Sequence, residues 1–160
     1  MNQPTAITDI RRDLVALLPR LRRFALTMAT SASEADDLVR EVCAKAIQKS
    51  HHWKGEGRIE SWLFSLMRGA CADARKKRKA ENSQESPEAG LSADPSREVN
   101  PVLSMPDGLA SVFLLGEVEG FSYKEAAAIL GITADLFASR LCVARLQLAA
   151  LGVETAERRA

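Results

Sequence analysis

The feature that most constrains this chain is a stretch that is not expected to fold. From Glu81 to Ser96 the sequence (Glu81-Asn-Ser-Gln-Glu-Ser-Pro and onward) is polar, rich in Ser and Pro, and poor in apolar residues. It buries too little surface to offset the entropy of ordering it. A chain of 160 residues, long enough for one ordinary domain, is therefore read as two small ones. The expected organisation is a domain over 1–80, a flexible acidic tether over 81–104, a second domain over 105–152 and a tail over 153–160. No internal repeat occurs on either side.

Ala and Leu together supply 44 residues and aromatics only 5%, which favours helices over strands. The fold class expected is all-α. The net charge of +1 hides a segmental imbalance. Residues 1–80 carry 16 Lys+Arg and 9 Asp+Glu, a net of +7, whereas residues 81–105 total −4 and residues 106–150 total −2. No apolar run approaches the roughly 18–20 residues that cross a bilayer. The N-terminus lacks the apolar core of a secretory signal. Three widely spaced cysteines, Cys43, Cys71 and Cys142, suggest a reducing, cytoplasmic setting rather than a disulfide framework.

In the first domain, Thr8 or Asp9 can cap a helix whose apolar residues Ile10, Leu14, Leu17, Leu21, Phe24 and Met28 recur at helical spacing. Ser33-Glu-Ala-Asp36 reads as the capping box of a second helix, with Leu38, Val39, Val42, Ala46 and Ile47 inward. His51 to Arg58, with Gly55 and Gly57, reads as a loop. A third helix carries Trp62, Leu63, Leu66, Met67 and Ala70 and ends in Arg75-Lys-Lys-Arg-Lys79, more base than a helix dipole calls for.

In the second domain, Pro106-Asp107 opens a helix through Val112, Phe113 and Leu115 that stops near Gly120. Ser122-Tyr-Lys-Glu125 is another capping box, starting a short helix that ends at Gly131. Ile132-Thr133 leads into a last helix with Leu136, Phe137, Leu141, Ala144 and Leu148. That final pair has the length and small-residue packing (Ala126, Ala127, Ala128) of a helix-turn-helix. A plain αα-hairpin packed on a neighbour fits the same spacing.

Together these pieces resemble an RNA polymerase sigma factor of the extracytoplasmic-function (ECF) type, in the sigma-70 family. Such proteins have two helical domains, region 2 and region 4, joined by a flexible linker. Three stretches carry the resemblance: Ala35-Asp-Asp-Leu-Val-Arg-Glu41, Ser61-Trp-Leu-Phe-Ser-Leu-Met-Arg68, and Glu119-Gly-Phe-Ser-Tyr-Lys-Glu-Ala-Ala-Ala-Ile-Leu-Gly131 with Ser139-Arg-Leu141. It implies a non-catalytic subunit with a three-helix region 2 and a helix-turn-helix region 4, partnered by core RNA polymerase, promoter DNA and an anti-sigma factor. No cofactor, metal, membrane or small-molecule substrate is implied.

The resemblance places polymerase docking on Asp36, Asp37, Leu38, Arg40 and Glu41, where acids one turn apart offer a ridge to a basic helix. It places −10 contacts on Lys54, Arg58, Trp62, Arg68, Asp73, Arg75, Lys76, Arg78 and Lys79, with Lys77 in the same run. The Trp53–Arg58 loop corresponds to the family's pocket for a flipped base. There Lys54 and Arg58 can meet phosphates, and Trp53 either stacks on a base or plugs the core. Contacts to −35 DNA, or to a partner helix, fall on Lys124, Leu136, Phe137, Ser139, Arg140, Val143 and Arg145.

The sequence departs from the family pattern chiefly at DNA contacts. Arg68-Gly69 stands where Arg-Asn is typical, Arg40 replaces a Gln, and Met105-Pro106 is followed by Ala110 where an Arg is usual. Asp135-Leu-Phe-Ala138 and Val143-Ala-Arg145 occupy the Gly-Thr-Val-Lys and Arg-Ala-Arg positions of the recognition helix. An acid thus sits near the helix end that would face phosphate, in a domain of net −2 charge. Region 4 either reads DNA weakly or has exchanged DNA for a protein, with Leu136, Phe137 and Val143 as an apolar patch. The alternative to a sigma factor is therefore a sigma-like decoy that sequesters an anti-sigma factor. An enzyme is not expected, since no phosphate loop or nucleophile elbow is present. A metal site from Cys43, His51, His52 and Cys71 matches no zinc spacing. A plain helix-turn-helix repressor would not need the first domain.

Overall fold

The computed structural model describes residues 5–53, 58–82, 102–103, 105 and 108–159. Two units separate by contact, Met1–Ser92 and Ala93–Ala160, and among the described residues every regular element is helical.

The first unit holds α1 (Thr5–Met28), α2 (Ala32–Gln48) and α3 (Ile59–Asn82). Each presents one apolar face. Leu14, Leu17, Leu21 and Phe24 from α1 meet Leu38, Val42 and Ala46 from α2 and Leu63, Phe64 and Met67 from α3, all buried. The rings of Phe24 and Phe64 lie 4.9 Å apart and tilted, an edge-to-face arrangement that adds about 0.5–1.5 kcal/mol beyond area burial. The α1 stripe runs unbroken past Pro19, which sits on the exposed side of the helix.

The capping of α2 differs from the sequence expectation. The N-cap is Ser31, whose side chain accepts from the Glu34 amide at 3.1 Å. Glu34, not Asp36, supplies the returning carboxylate, which accepts from the Thr30 amide at 2.7 Å and from the Thr30 hydroxyl. The Glu34 carboxylate thus reaches the residue before the cap and does not close a full capping box; with the cap two residues upstream, α2 starts at Ala32 and Asp36 pairs elsewhere. Likewise α1 begins at Thr5, ahead of the expected caps. Between α2 and α3 the chain makes a short 3-10 turn, Ser50–His52, where a plain loop was expected.

The second unit holds α4 (Leu109–Phe113), a π-helical turn (Leu114–Val118), α5 (Tyr123–Leu130) and α6 (Ala134–Arg159). The expected start at Pro106-Asp107 lies outside the described residues; α4 itself follows Gly108. The Ser122–Glu125 capping box has both hydrogen bonds, and α5 ends at Gly131 in the left-handed conformation (φ 68°), which only glycine adopts without cost. Thr133 Oγ1 then accepts from the Leu136 amide at 3.2 Å and opens α6. The axes of α5 and α6 diverge by 98°, within the range of a helix-turn-helix. Met105, Leu109, Ala110 and Ala144 form a buried cluster, while Phe137, Leu141, Ile129 and Leu115 are fully enclosed. The last helix continues to Arg159, across the residues expected to form a tail. No single described helix is long and apolar enough to cross a membrane.

Candidate protein- and nucleic-acid-binding surfaces

On α2 the expected docking ridge divides by helical phase. Leu38 is 3% exposed and belongs to the core, so it supports the ridge from beneath rather than meeting a partner. Asp36, Asp37, Arg40 and Glu41 point outward, and each acid already has a base. Arg22 Nε donates to Asp36 at 2.9 Å, Arg40 Nη1 to Asp37 at 3.0 Å, and Lys45 Nζ to Glu41 at 2.7 Å. The ridge is therefore mixed in charge, not purely acidic. Exposed pairs of this kind contribute about 0–1 kcal/mol each, so exchanging them for a partner's bases costs little.

Where α2 hands over to α3, the rings of Trp53 and Trp62 stack with centroids 6.4 Å apart and planes 22° apart. Both are half-buried, which falls between the two sequence readings: neither a core plug nor a free platform. Trp53 Nε1 is buried without a hydrogen-bond partner among the described residues. Lys54 lies outside the described residues. Arg58 is exposed just before α3, and Arg68 and Asp73 are exposed along it.

The basic run at the end of α3 is not uniform. Arg75 Nη2 donates to the Met28 carbonyl at 3.0 Å, satisfying an end carbonyl of α1 that has no helical partner. Arg78 Nη2 lies 2.7 Å from Glu34 Oε1, tying α3 to the cap of α2. Burial pushes the Glu34 carboxyl up, but the hydrogen bonds from Thr30 and Arg78 outweigh it and hold the group below 4.5. These two arginines, read from sequence as phosphate contacts, are exposed but also brace α3 against α1 and α2. Lys76, Lys77 and Lys79 remain exposed.

In the second unit, one residue of the expected apolar patch is misplaced. Phe137 is 0% exposed, its ring 5.5 Å from that of Tyr123, because it shares a face with Leu141 and Ala144. Leu136 and Val143, offset on the helix, are 41% and 45% exposed, and Leu146 joins them at 66%. Lys124 and Ser139 are exposed and Arg140 is half-buried. The Arg140 guanidinium leans toward Gly108, with Nη1 3.5 Å from where a Cβ would stand. Arg145 is paired with Glu117 of the π-helical turn, a contact the sequence did not suggest because the two are 28 positions apart.

Among the described residues no three His, Cys, Asp or Glu side chains could hold a metal ion.

Comparison with known proteins follows the same division. The Sigma-70 region 2 family matches residues 14–81 and the Sigma-70 region 4 family matches residues 102–148. The ECF RNA polymerase sigma factor EcfG of Rhodopseudomonas palustris is 32% identical over 91% of this chain and 86% of its own length. SigM of Bacillus subtilis, also an ECF sigma factor, is 29% identical over 81% and 86%. Among solved structures, the sigma factor RpoE from Bartonella quintana, crystallised with the anti-sigma factor NepR, superposes with a TM-score of 0.74 at 27% identity, covering 89% of this chain and 96% of that one. CnrH, solved with the cytosolic domain of CnrY, shares the fold with a TM-score of 0.61. Relatives matched along most of their length are themselves sigma factors, which favours that reading over the decoy. With a region 2 bundle, a region 4 helix-turn-helix and a relative above 30% identity along nearly the whole chain, the protein belongs to the ECF sigma factors of the sigma-70 family.

Proposed function

We propose that this chain acts as a non-catalytic specificity subunit that docks on core RNA polymerase through the outer face of α2 and engages promoter DNA mainly through its first unit. The polymerase contact falls on Asp36, Asp37, Arg40 and Glu41, whose weak internal pairs exchange for a basic partner helix. The −10 contact falls on Arg58, Trp62, Arg68 and Asp73 with Lys76, Lys77 and Lys79, and on Lys54 in the adjoining loop. A flipped base would find two stacked, half-buried indoles beside that loop; base–aromatic stacking contributes about 1–3 kcal/mol per base. The work takes place where the chromosome is, in the bacterial cytoplasm, and an anti-sigma factor regulates it.

The observation that carries this reading is the segregation of charge. The net +7 of residues 1–80 leaves three lysines outward at the end of α3, where phosphate neutralisation releases counterions. The second unit, at −2 over 106–150, gains nothing comparable, so its −35 contact, through Lys124, Ser139 and Arg140, is the weaker of the two.

The test is a core-polymerase binding titration with Asp36, Asp37 and Glu41 all changed to Lys. We expect affinity to fall at least about tenfold, the scale of losing charge complementarity at an interface, with far-UV circular dichroism unchanged. Undiminished affinity in a folded variant would remove α2 from the docking surface.

A further inference from the structure

Arg145 is one of three bases between residues 106 and 150, and its side chain is half-exposed on α6. Its Nε and Nη2 both turn to a single oxygen of Glu117. The hydrogen bond that Arg145 donates to Glu117 raises the guanidinium pKa, with Tyr123 a smaller contributor. Unlike the single-contact pairs on α2, this one joins two guanidinium nitrogens to one carboxylate oxygen; the pair as a whole offers a phosphate no net charge, and the carboxylate itself repels the phosphate.

The position of Glu117 is built into the fold. It belongs to the π-helical turn, a conformation that is rare and concentrated at functional sites. The turn is closed by wide hydrogen bonds, from the Glu119 amide to the Leu114 carbonyl at 2.9 Å and from the Phe121 amide to the Leu115 carbonyl at 3.0 Å. Gly116 lets it press on α6: a Cβ there would stand 3.2 Å from Leu141 Cδ2 and 3.3 Å from Phe137 Cζ. With the turn seated this closely on Phe137 and Leu141, the next residue reaches Arg145, one helical turn beyond Leu141.

We propose that Glu117 sets the duplex affinity of the second unit by holding Arg145 off the DNA backbone. The inference rests on the reading that α6 faces −35 duplex. It makes Glu117 an affinity-determining residue that acts through Arg145, not by touching DNA itself. Promoter choice then depends on the first unit, and loss of one carboxylate converts the second unit into a stronger, less discriminating duplex binder.

The test uses the full chain with Glu117→Ala, and Glu117→Gln as a second variant, titrated against a short duplex of random sequence across a salt series. Freeing Arg145 adds one phosphate contact. The slope of log affinity against log salt should steepen by about 0.9, and affinity should rise about eightfold at about 0.1 M salt. Adding Arg145→Ala to Glu117→Ala should return both values to those of the parent chain. A gain that persists in the double variant comes from lost repulsion alone and overturns the proposal. Lys124→Ala in the parent background separates the two levels. If it flattens the slope while Glu117→Ala does nothing, this inference fails and the −35 reading stands. If neither changes the slope, both fail.

Discussion

Two glycines in helical segments should respond oppositely to the same added methyl group. Gly69 lies inside α3 with no heavy atom within 4 Å of the position a Cβ would take, and its φ is not positive. Replacing it with Ala removes backbone freedom from the unfolded chain without a clash, which stabilises by about 0.5–1 kcal/mol. For a unit of this size that raises the unfolding midpoint by about 2–8 °C. Gly116 also has an ordinary φ, but its Cβ would meet Leu141 and Phe137, which are 1% and 0% exposed and have nowhere to retreat. Overpacking costs about 1–3 kcal/mol. The propensity gain, at most about 1 kcal/mol in a regular helix, offsets only part of it, so a net loss of about 1 kcal/mol is expected. The units can be followed separately, because both tryptophans are in the first. Tryptophan fluorescence during heating reports Gly69→Ala, whereas Tyr123 near-UV ellipticity reports Gly116→Ala. A lowered fluorescence midpoint for Gly69→Ala, or a raised tyrosine midpoint for Gly116→Ala, would refute the packing argument.

Two further outcomes follow from the first unit. The folded carboxyl of Glu34 sits below its ordinary value of 4.5, so it stabilises the unit fully above that value and ceases to do so as pH falls through the folded pKa. The tryptophan-reported midpoint should therefore drop in that acid window, and Glu34→Gln should flatten this part of the profile; an unchanged profile would place the acid sensitivity elsewhere. Changing Lys76, Lys77 and Lys79 together to Ala should reduce the salt slope of holoenzyme–promoter binding by about 3, at about 0.9 per duplex phosphate, with no loss of thermal stability. A slope that stays put would mean that those lysines are merely solvated.

Local patterning made much of the fold legible. The apolar spacing in α1 to α3, the Ser122–Glu125 capping box and the Gly131 stop each depend on residues within a few positions of one another, and all three are found. The α2 cap shows the limit of that approach. Ser31-Ala-Ser-Glu34 and Ser33-Glu-Ala-Asp36 both satisfy the pattern; the first is used, and Glu34 there also holds Arg78 of α3. The candidate surfaces were less legible, since function depends on which side chains stay free. Arg75 and Arg78 look like their neighbouring lysines in sequence, but each also has a partner on α1 or α2. Phe137 and Leu136 are adjacent, yet about 100° of helical rotation sends one into the core and leaves the other exposed.

The sequence alone determined the division into two helical units, their charge imbalance and the family, because composition and short-range spacing carry that information. Tertiary structure decided which charges remain available. Arg145 is a base in any reading of the sequence, but its pairing with Glu117 arises only when the π-helical turn packs across Gly116 onto α6. Such contacts join residues far apart in the chain, and no local pattern encodes a distance that folding alone brings within reach.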